Sequence, residues 1–321
     1  MKAIITKKYG TPDVLELDEV DQPFQKDDEV LVKVKAASLN YGNLVLLSGK
    51  PFLARMAFGL FRPKFAIPGG DIAGIVETVG KNVTQFQPGD TVFGDLSAFG
   101  WGGFAEYVAV PEQALVHKPT NLTFEEAAAV PMAAVTALQA LQKGKIISGQ
   151  KVLINGASGG VGTFAIQIAK AYNAEVTAVC STRNIEIARS LGADNVIDYT
   201  KEDISKLEAR FDLILAVNGN SPISVYNRLL KPNGSYVMIG GSEAQMYQAM
   251  FLGPLLSLTN KKNLKNMLQK ANQNDLLFIK ELIDANKVKP VIDRTYKLSE
   301  LKEAFKYFEQ GHAQGKVVIS I

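Results

Sequence analysis

Cysteine, tryptophan and histidine are nearly absent, with one, one and two copies respectively in 321 residues. The single Cys180 rules out an intramolecular disulfide and any cysteine-based zinc knuckle, and it suits a reducing compartment, so a cytoplasmic setting is expected. An excess of one charge is also missing. Lys+Arg 35 against Asp+Glu 32 leaves a formal +3, scattered along the chain with no basic block, so nucleic acid is not an expected partner. Long apolar runs are absent too: residues 51–68 and 246–258 are the greasiest, yet they are interrupted by Arg55, Arg62, Lys64 and by Gly or Pro. Both fall short of the ~20 apolar residues that cross a bilayer, so no transmembrane segment is expected. The first six residues run straight into an alternating strand pattern, without the apolar stretch of a signal peptide or the Arg/Ser bias of a transit peptide.

The remaining composition is 47% hydrophobic and 21% charged, which excludes wholesale disorder. At about 150 residues per domain the length suggests two domains. Residues 2–6, 14–20, 29–36, 72–79, 91–93 and 106–110 are rich in β-branched side chains and are separated by Gly10, Pro12, Pro23, Gly80, Pro88-Gly89-Asp90 and Gly102-Gly103, so the first third reads as mostly β. From Thr123 the texture turns helical, and a boundary is placed near Pro119. Beyond Ser148-Gly149 strands and helices alternate: strand 151–155, helix 160–172, strand 175–179, helix 184–191, strands 195–197 and 212–217, helix 223–230 and strand 235–239. That alternation predicts an α/β fold with a doubly wound parallel sheet. A closing tail, with helices over 275–286 and 300–310 and a strand over 316–321, is expected to return to the first domain.

The most specific motif is Asn155-Gly156-Ala157-Ser158-Gly159-Gly160-Val161-Gly162, set between an apolar strand and an Ala/Ile-rich helix. Glycines there allow a sharp turn, close approach of backbone to a pyrophosphate and tight packing of helix on strand, while the helix start offers free N–H groups. Gly156, Ser158, Gly159, Gly160, Val161 and Gly162 are therefore candidate dinucleotide contacts. NAD sites place an acid about 20 residues further on, at the tip of the second strand. Here that strand ends Cys180-Ser181-Thr182-Arg183-Asn184 without one. Ser181 and Arg183 could instead hold a 2′-phosphate, which favours NADPH; the alternative for Arg183 is a solvated charge in the first turn of a helix. Cys180 reads as a buried strand residue.

The glycine motif, taken with Gly89-Asp90, Gly102-Gly-Phe-Ala-Glu-Tyr107, Ala128-Ala-Val-Pro131 and Leu191-Gly-Ala-Asp194, resembles the medium-chain dehydrogenase/reductase superfamily, and most of all its zinc-free NADPH:quinone oxidoreductases. The resemblance covers the whole chain. It implies a GroES-like, mostly-β catalytic domain over 1–118 and 272–321, a Rossmann domain over 119–271, an active site in the cleft and a homodimer. Zinc members carry a Cys near the position of Asn40, a His before an acid near Gly70-Asp71 and a Cys or acid near Met132; this chain has neither of the first two, so no metal is expected. His117 and His312 lie far from those motifs, and the relay hydroxyl expected after the first ligand is Gly42.

Without a Lewis acid to stabilise an alkoxide, the resemblance points to hydride transfer from NADPH to a quinone or an α,β-unsaturated carbonyl compound. The alternatives are a zinc-independent alcohol dehydrogenase and an NADPH-binding protein with a structural or regulatory role. Asn40 and Tyr41 stand where hydrogen-bond donors to the acceptor oxygen would sit, although Tyr41 could equally be a packed aromatic. Asn43 occupies a position where many relatives have Asp. Thr136 corresponds to a residue beside the nicotinamide, and Asn218 and Gly240-Gly241 end strands at the ligand-binding edge. Lys316 resembles a basic residue on the cofactor phosphates, and could equally be a solvated strand-edge lysine. Residues 51–63, with Phe52, Leu53, Met56, Phe58, Leu60 and Phe61, are read as a lid over the acceptor; a helix tucked into the core and a membrane-surface contact are the other readings.

Overall fold

The computed structural model describes the backbone of residues 1–321 and all side chains except those of Glu243 and residues 254–260. It divides into two compact units. Unit 1 is Met1–Val135, Lys270–Asp284 and Pro290–Ile321, and unit 2 is Thr136–Gln269 and Ala285–Lys289. Residues 119–135, grouped by texture with the second domain, thus fall in unit 1.

In chain order the elements are β1 (Lys2–Ile5), β2 (Glu16–Glu19), β3 (Glu29–Ser38), α1 (Tyr41–Ser48), α2 (Arg55–Phe58), β4 (Asp71–Val79), β5 (Thr91–Asp95), β6 (Tyr107–Pro111), β7 (Leu115–His117), α3 (Phe124–Ala128) and α4 (Pro131–Lys143). Next come β8 (Lys151–Asn155), α5 (Gly160–Ala171), β9 (Glu175–Cys180), α6 (Ile185–Ser190), β10 (Asn195–Asp198), β11 (Phe211–Ala216), α7 (Ile223–Leu229), β12 (Leu230–Met238), α8 (Glu243–Asn260) and β13 (Asn263–Asn266). The chain closes with α9 (Gln273–Asp284), β14 (Ile292–Lys297), α10 (Leu301–Glu309) and β15 (Lys316–Ser320).

Unit 1 is built on a sheet in the order β14-β15-β3-β4-β5-β7, with β6 also pairing β3. Its centre joins strands from the two ends of the chain: β15 runs antiparallel to β3, with Val318 opposite Ser38, and β3 runs antiparallel to β4, with Ser38 opposite Asp71. The C-terminal tail is held there by α10, whose Leu301, Ala304 and Phe305 are buried, and Phe305 meets Phe104 edge to face at 6.2 Å. On α9, the Gln273 amide donates to Leu115 O at 2.8 Å.

The sheet of unit 2 is wholly parallel, in the order β10-β9-β8-β11-β12-β13. Numbered from β8, this is the 3-2-1-4-5-6 order of a doubly wound dinucleotide fold, whose ligand crevice lies at the carboxyl ends of the strands where the order reverses. Segment 285–289 belongs here because Gln167 on α5 exchanges two hydrogen bonds with the Lys289 backbone, each 2.9 Å long.

Residues 52–61 are not a core helix. Phe52, Leu53, Met56, Leu60 and Phe61 are all exposed, Met56 to 81% and Phe61 to 89%, while other residues of the segment tie it to its surroundings. Arg55 lies 4.5 Å over the Tyr9 ring and donates to Gly49 O, the Tyr9 hydroxyl donates to Gly59 O, and Phe58 packs edge to face on Trp101 at 5.9 Å.

Removing the buried Phe305 ring leaves a cavity between α10 and the sheet of unit 1. Phe305→Ala should destabilise unit 1 by about 3–5 kcal/mol. The fluorescence of Trp101, the chain's single tryptophan, followed through urea denaturation, reports this as a lowered midpoint; an unchanged midpoint would contradict the packing described.

Candidate active site

In unit 2, β8 delivers the chain to a turn in which Gly156 has φ +88°, a backbone region that favours glycine. A Cβ on Gly156 would stand 2.7 Å from the Asn218 backbone N, and one on Gly162 would stand 2.2 Å from Gly156 O. The loop therefore packs more tightly than any side chain permits. Gly159 is different: a Cβ there would meet nothing nearer than 3.9 Å, so space remains above the loop. Gly159 caps α5 without a side-chain hydrogen bond, which leaves the first-turn N–H groups and the positive end of a 12-residue helix for an anion. A dinucleotide pyrophosphate fits this cradle.

Beside it, the buried Asn184 amide donates to Ser158 Oγ at 2.9 Å and to Ser181 Oγ at 3.0 Å. Both oxygens accept, so each hydroxyl keeps its own hydrogen for a ligand. Arg183 is exposed in the same turn. Sequence reasoning passed over Asn184, which frames the two serines, and Asp198, whose carboxylate accepts from the hydroxyls of Thr182 and Thr200 at 2.5 and 2.7 Å. Those hydroxyl bonds, that of Thr182 foremost, hold its pKa below the ordinary carboxylate range. Cys180 is buried; burial, reinforced by Asp198, pushes its thiol pKa up to about 11, and the neutral thiol is no nucleophile at neutral pH.

Asn218 is exposed at the carboxyl end of β11, and the next residue, Gly219, bridges to Gly241 beyond β12. A Cβ on Gly240 would meet Val217 O at 2.6 Å, so these two strand ends close on each other through bare backbone. Below them lies a buried polar layer that was not anticipated: Asn155 donates to the Tyr226 hydroxyl at 2.6 Å, and Gln245 donates to the Tyr236 hydroxyl at 3.0 Å. Burial raises the pKa of both phenols, so they are neutral supports for the strand ends. Thr136 is buried on α4. The glycine loop, Ser181, Arg183, Asn218, Gly240 and Gly241 thus all lie at the carboxyl edge of one parallel sheet.

Unit 1 holds a second, separate polar cluster. Asp71 is fully buried at the start of β4. Its Oδ1 accepts from the Met132 backbone N–H at 2.9 Å, and its Oδ2 accepts from Ser38 Oγ at 2.9 Å, Asn40 Nδ2 at 2.7 Å and Lys316 Nζ at 3.4 Å. Lys316 Nζ also donates to Leu39 O at 3.0 Å and to Asn40 Oδ1. Burial pulls the Lys316 pKa down, and Asp71 opposes that shift. Lys316 is 2% exposed, which corrects the reading of a solvated edge lysine; its ammonium donates to three acceptors inside unit 1. Tyr41, by contrast, is 69% exposed at the first turn of α1, so it is not a packed aromatic. Asn43 Oδ1 accepts from the Asn40 backbone N–H at 2.8 Å and holds that end of the helix.

A Cβ on Gly42 would meet the Trp101 ring at 3.2 Å, and one on Gly70 would meet the Met132 methyl at 2.9 Å. Trp101 and Met132 therefore occupy the space beside both glycines. These donors do not suit zinc. A glycine stands at one ligand position and a thioether at another, the Asn40 carbonyl oxygen already accepts from Lys316, and that ammonium already neutralises the one carboxylate.

Residues 26–120 match the alcohol dehydrogenase GroES-like domain family, and residues 191–319 match a family described as zinc-binding dehydrogenase. Among curated proteins the chain is similar to a chloroplast envelope quinone oxidoreductase homolog of Arabidopsis thaliana, 37% identical over 99% of this chain and 98% of the relative. It is also similar to an NADPH-dependent alkenal/one oxidoreductase of the same plant, 35% identical over 99% of this chain and 79% of the relative. Among solved structures it is similar to the quinone oxidoreductase from Coxiella burnetii, with 30% identity, a TM-score of 0.89 and coverage of 100% and 99% of the two chains. With the GroES-like and Rossmann sheets both in place, this chain belongs to the medium-chain dehydrogenase/reductase superfamily, in its quinone oxidoreductase branch.

Proposed function

We propose that the protein reduces quinones or α,β-unsaturated carbonyl compounds with NADPH and without zinc. The observation that carries this reading is the Asn40–Asp71–Lys316 cluster, a buried polar site that offers an N–H donor and suits no metal. It favours acceptors that delocalise the added charge over alcohols, whose oxidation leaves an alkoxide to stabilise. Relatives named as quinone and alkenal/one oxidoreductases support the same substrate class.

In this reading the first-turn amides of α5 hold the pyrophosphate and Thr136, Asn218, Gly240 and Gly241 line the rest of the dinucleotide site. Ser158, Ser181 and Arg183 meet the 2′-phosphate. The bound NADPH supplies a hydride. Asn40 orients the acceptor and lowers the energy of its oxygen as charge develops there, with Tyr41 as a second donor. Residues 52–61, joined to Trp101 through Phe58, close over the acceptor as an apolar lid that keeps water out.

Mixing the protein with NADPH and either a para-quinone or an alkenal should oxidise the cofactor, as read by absorbance and by loss of nicotinamide fluorescence. Tight NADPH binding without turnover of either acceptor would leave only the binding-protein reading, and turnover confined to alcohols with NADP⁺ would favour the dehydrogenase. Arg183→Ala should weaken NADPH by about 2 kcal/mol, the scale of a hydrogen bond to a charged group, and leave NADH nearly untouched; equal weakening of both would remove the 2′-phosphate assignment. A homodimer in the cytoplasm completes the proposal. Among the described residues the outer edge of β13 has no partner strand, and such an edge is a natural pairing surface. Light scattering that reports a monomer at micromolar concentration would remove the dimer.

A further inference from the structure

We propose that Lys316 and Asp71 are positioning residues that lock the Asn40 side-chain amide in one orientation, so that Asn40 presents an N–H, never its carbonyl, to the oxygen of the acceptor. This rests on the reductase reading and says which end of Asn40 does the work.

An asparagine amide has a nearly symmetric shape, and its two ends are chemically opposite, with a carbonyl that accepts and an NH₂ that donates twice. Left alone, Asn40 could turn either end to a ligand. In unit 1 it cannot. Its Oδ1 accepts from the buried Lys316 ammonium, and one Nδ2 hydrogen goes to Asp71 Oδ2 at 2.7 Å. Turning the amide over would set NH₂ against an ammonium and the carbonyl oxygen against a carboxylate, two repulsive contacts in a place shielded from water. The second Nδ2 hydrogen has no partner among the described residues.

The partners are themselves fixed. Asp71 is held by Ser38 on β3 and by the Met132 backbone at the start of α4, and Lys316 by Leu39 O just beyond β3; Ser38, Asp71 and Lys316 themselves lie on the adjacent strands β3, β4 and β15. An ammonium on the carbonyl oxygen also draws electron density through the amide, which makes the remaining N–H a stronger donor to an oxygen that gains negative charge. The site thereby favours carbonyl compounds that become enolates or hydroquinone anions when hydride arrives. No proton or electron passes through Lys316 or Asp71.

The test uses Lys316→Met, of similar length and without charge, and Lys316→Gln, which can still donate to Asn40 Oδ1. With a para-quinone and NADPH, Lys316→Met should lose kcat about 10- to 100-fold, the scale of a mispositioned catalytic group, while the NADPH Kd changes less than about 2-fold. Lys316→Gln should keep most of the rate. A raised NADPH Kd at unchanged kcat would overturn the proposal and make Lys316 a cofactor residue. So would wild-type kcat in Lys316→Met.

A second readout does not depend on turnover. In ¹⁵N-labelled wild-type protein the Asn40 side-chain amide, assigned by its loss in Asn40→Asp, should give two separate proton signals, and titration with saturated cyclohexanone should shift only one of them. Equal shifts of both, or of neither, would overturn the proposal even if the Lys316 variants fail to fold. Should wild-type protein oxidise NADPH with no quinone or enone, the reductase reading fails, and this spectrum still decides how the amide is held.

Discussion

The burial of Lys316 against Asp71 is the constraint on which unit 1 depends. Stripping water from an ammonium and a carboxylate costs several kcal/mol per ion, recovered only when geometry and hydrogen bonds satisfy both. Here they do, because Ser38, Leu39, Asn40 and the Met132 backbone supply the missing partners. The arrangement requires β15, from the last six residues, to lie against β3, from the first forty. Any register other than Val318 opposite Ser38 and Ser38 opposite Asp71 would leave a buried charge unpaired, so the pair selects the strand order as well as orienting Asn40.

Unit 2 solves a different problem with almost no charge. Its carboxyl edge is backbone: loops at Gly156, Gly219 and Gly240-Gly241 approach one another where a Cβ would collide. The polar side chains beneath, Asn155, Tyr226, Tyr236 and Gln245, support the strand ends. In the proposed reading, anion recognition comes from a helix start and two serines framed by Asn184, a geometry set locally by the sequence between residues 155 and 184.

That locality explains what could be read in advance. The glycine loop announces itself because each glycine answers a short-range backbone demand within a single strand-turn-helix, and the parallel sheet follows from alternation of element types. The Lys316–Asp71 pair was illegible: its members lie 245 residues apart, and a strand lysine is ordinarily solvated. Asp71 was noticed only as the neighbour of an absent zinc ligand, and Asn184 as an ordinary helix start. Residues 52–61 were ambiguous because apolar composition alone does not tell a buried helix from an exposed flap; the exposure of Met56 and Phe61 excludes the buried helix. The boundary near Pro119 followed the change from β to helical texture, whereas α3 packs on β3, β4 and β15 and so stays with unit 1.

The central claim is that the donor on the acceptor oxygen is the amide of Asn40. Asn40→Ala removes that donor and keeps the backbone N–H that Asn43 accepts at the start of α1. Steady-state reduction of a para-quinone by NADPH should then show kcat lowered about 10²- to 10³-fold, the cost of deleting one oxyanion donor, with NADPH affinity and circular dichroism as in the wild type. Wild-type kcat in a folded Asn40→Ala protein would contradict the account.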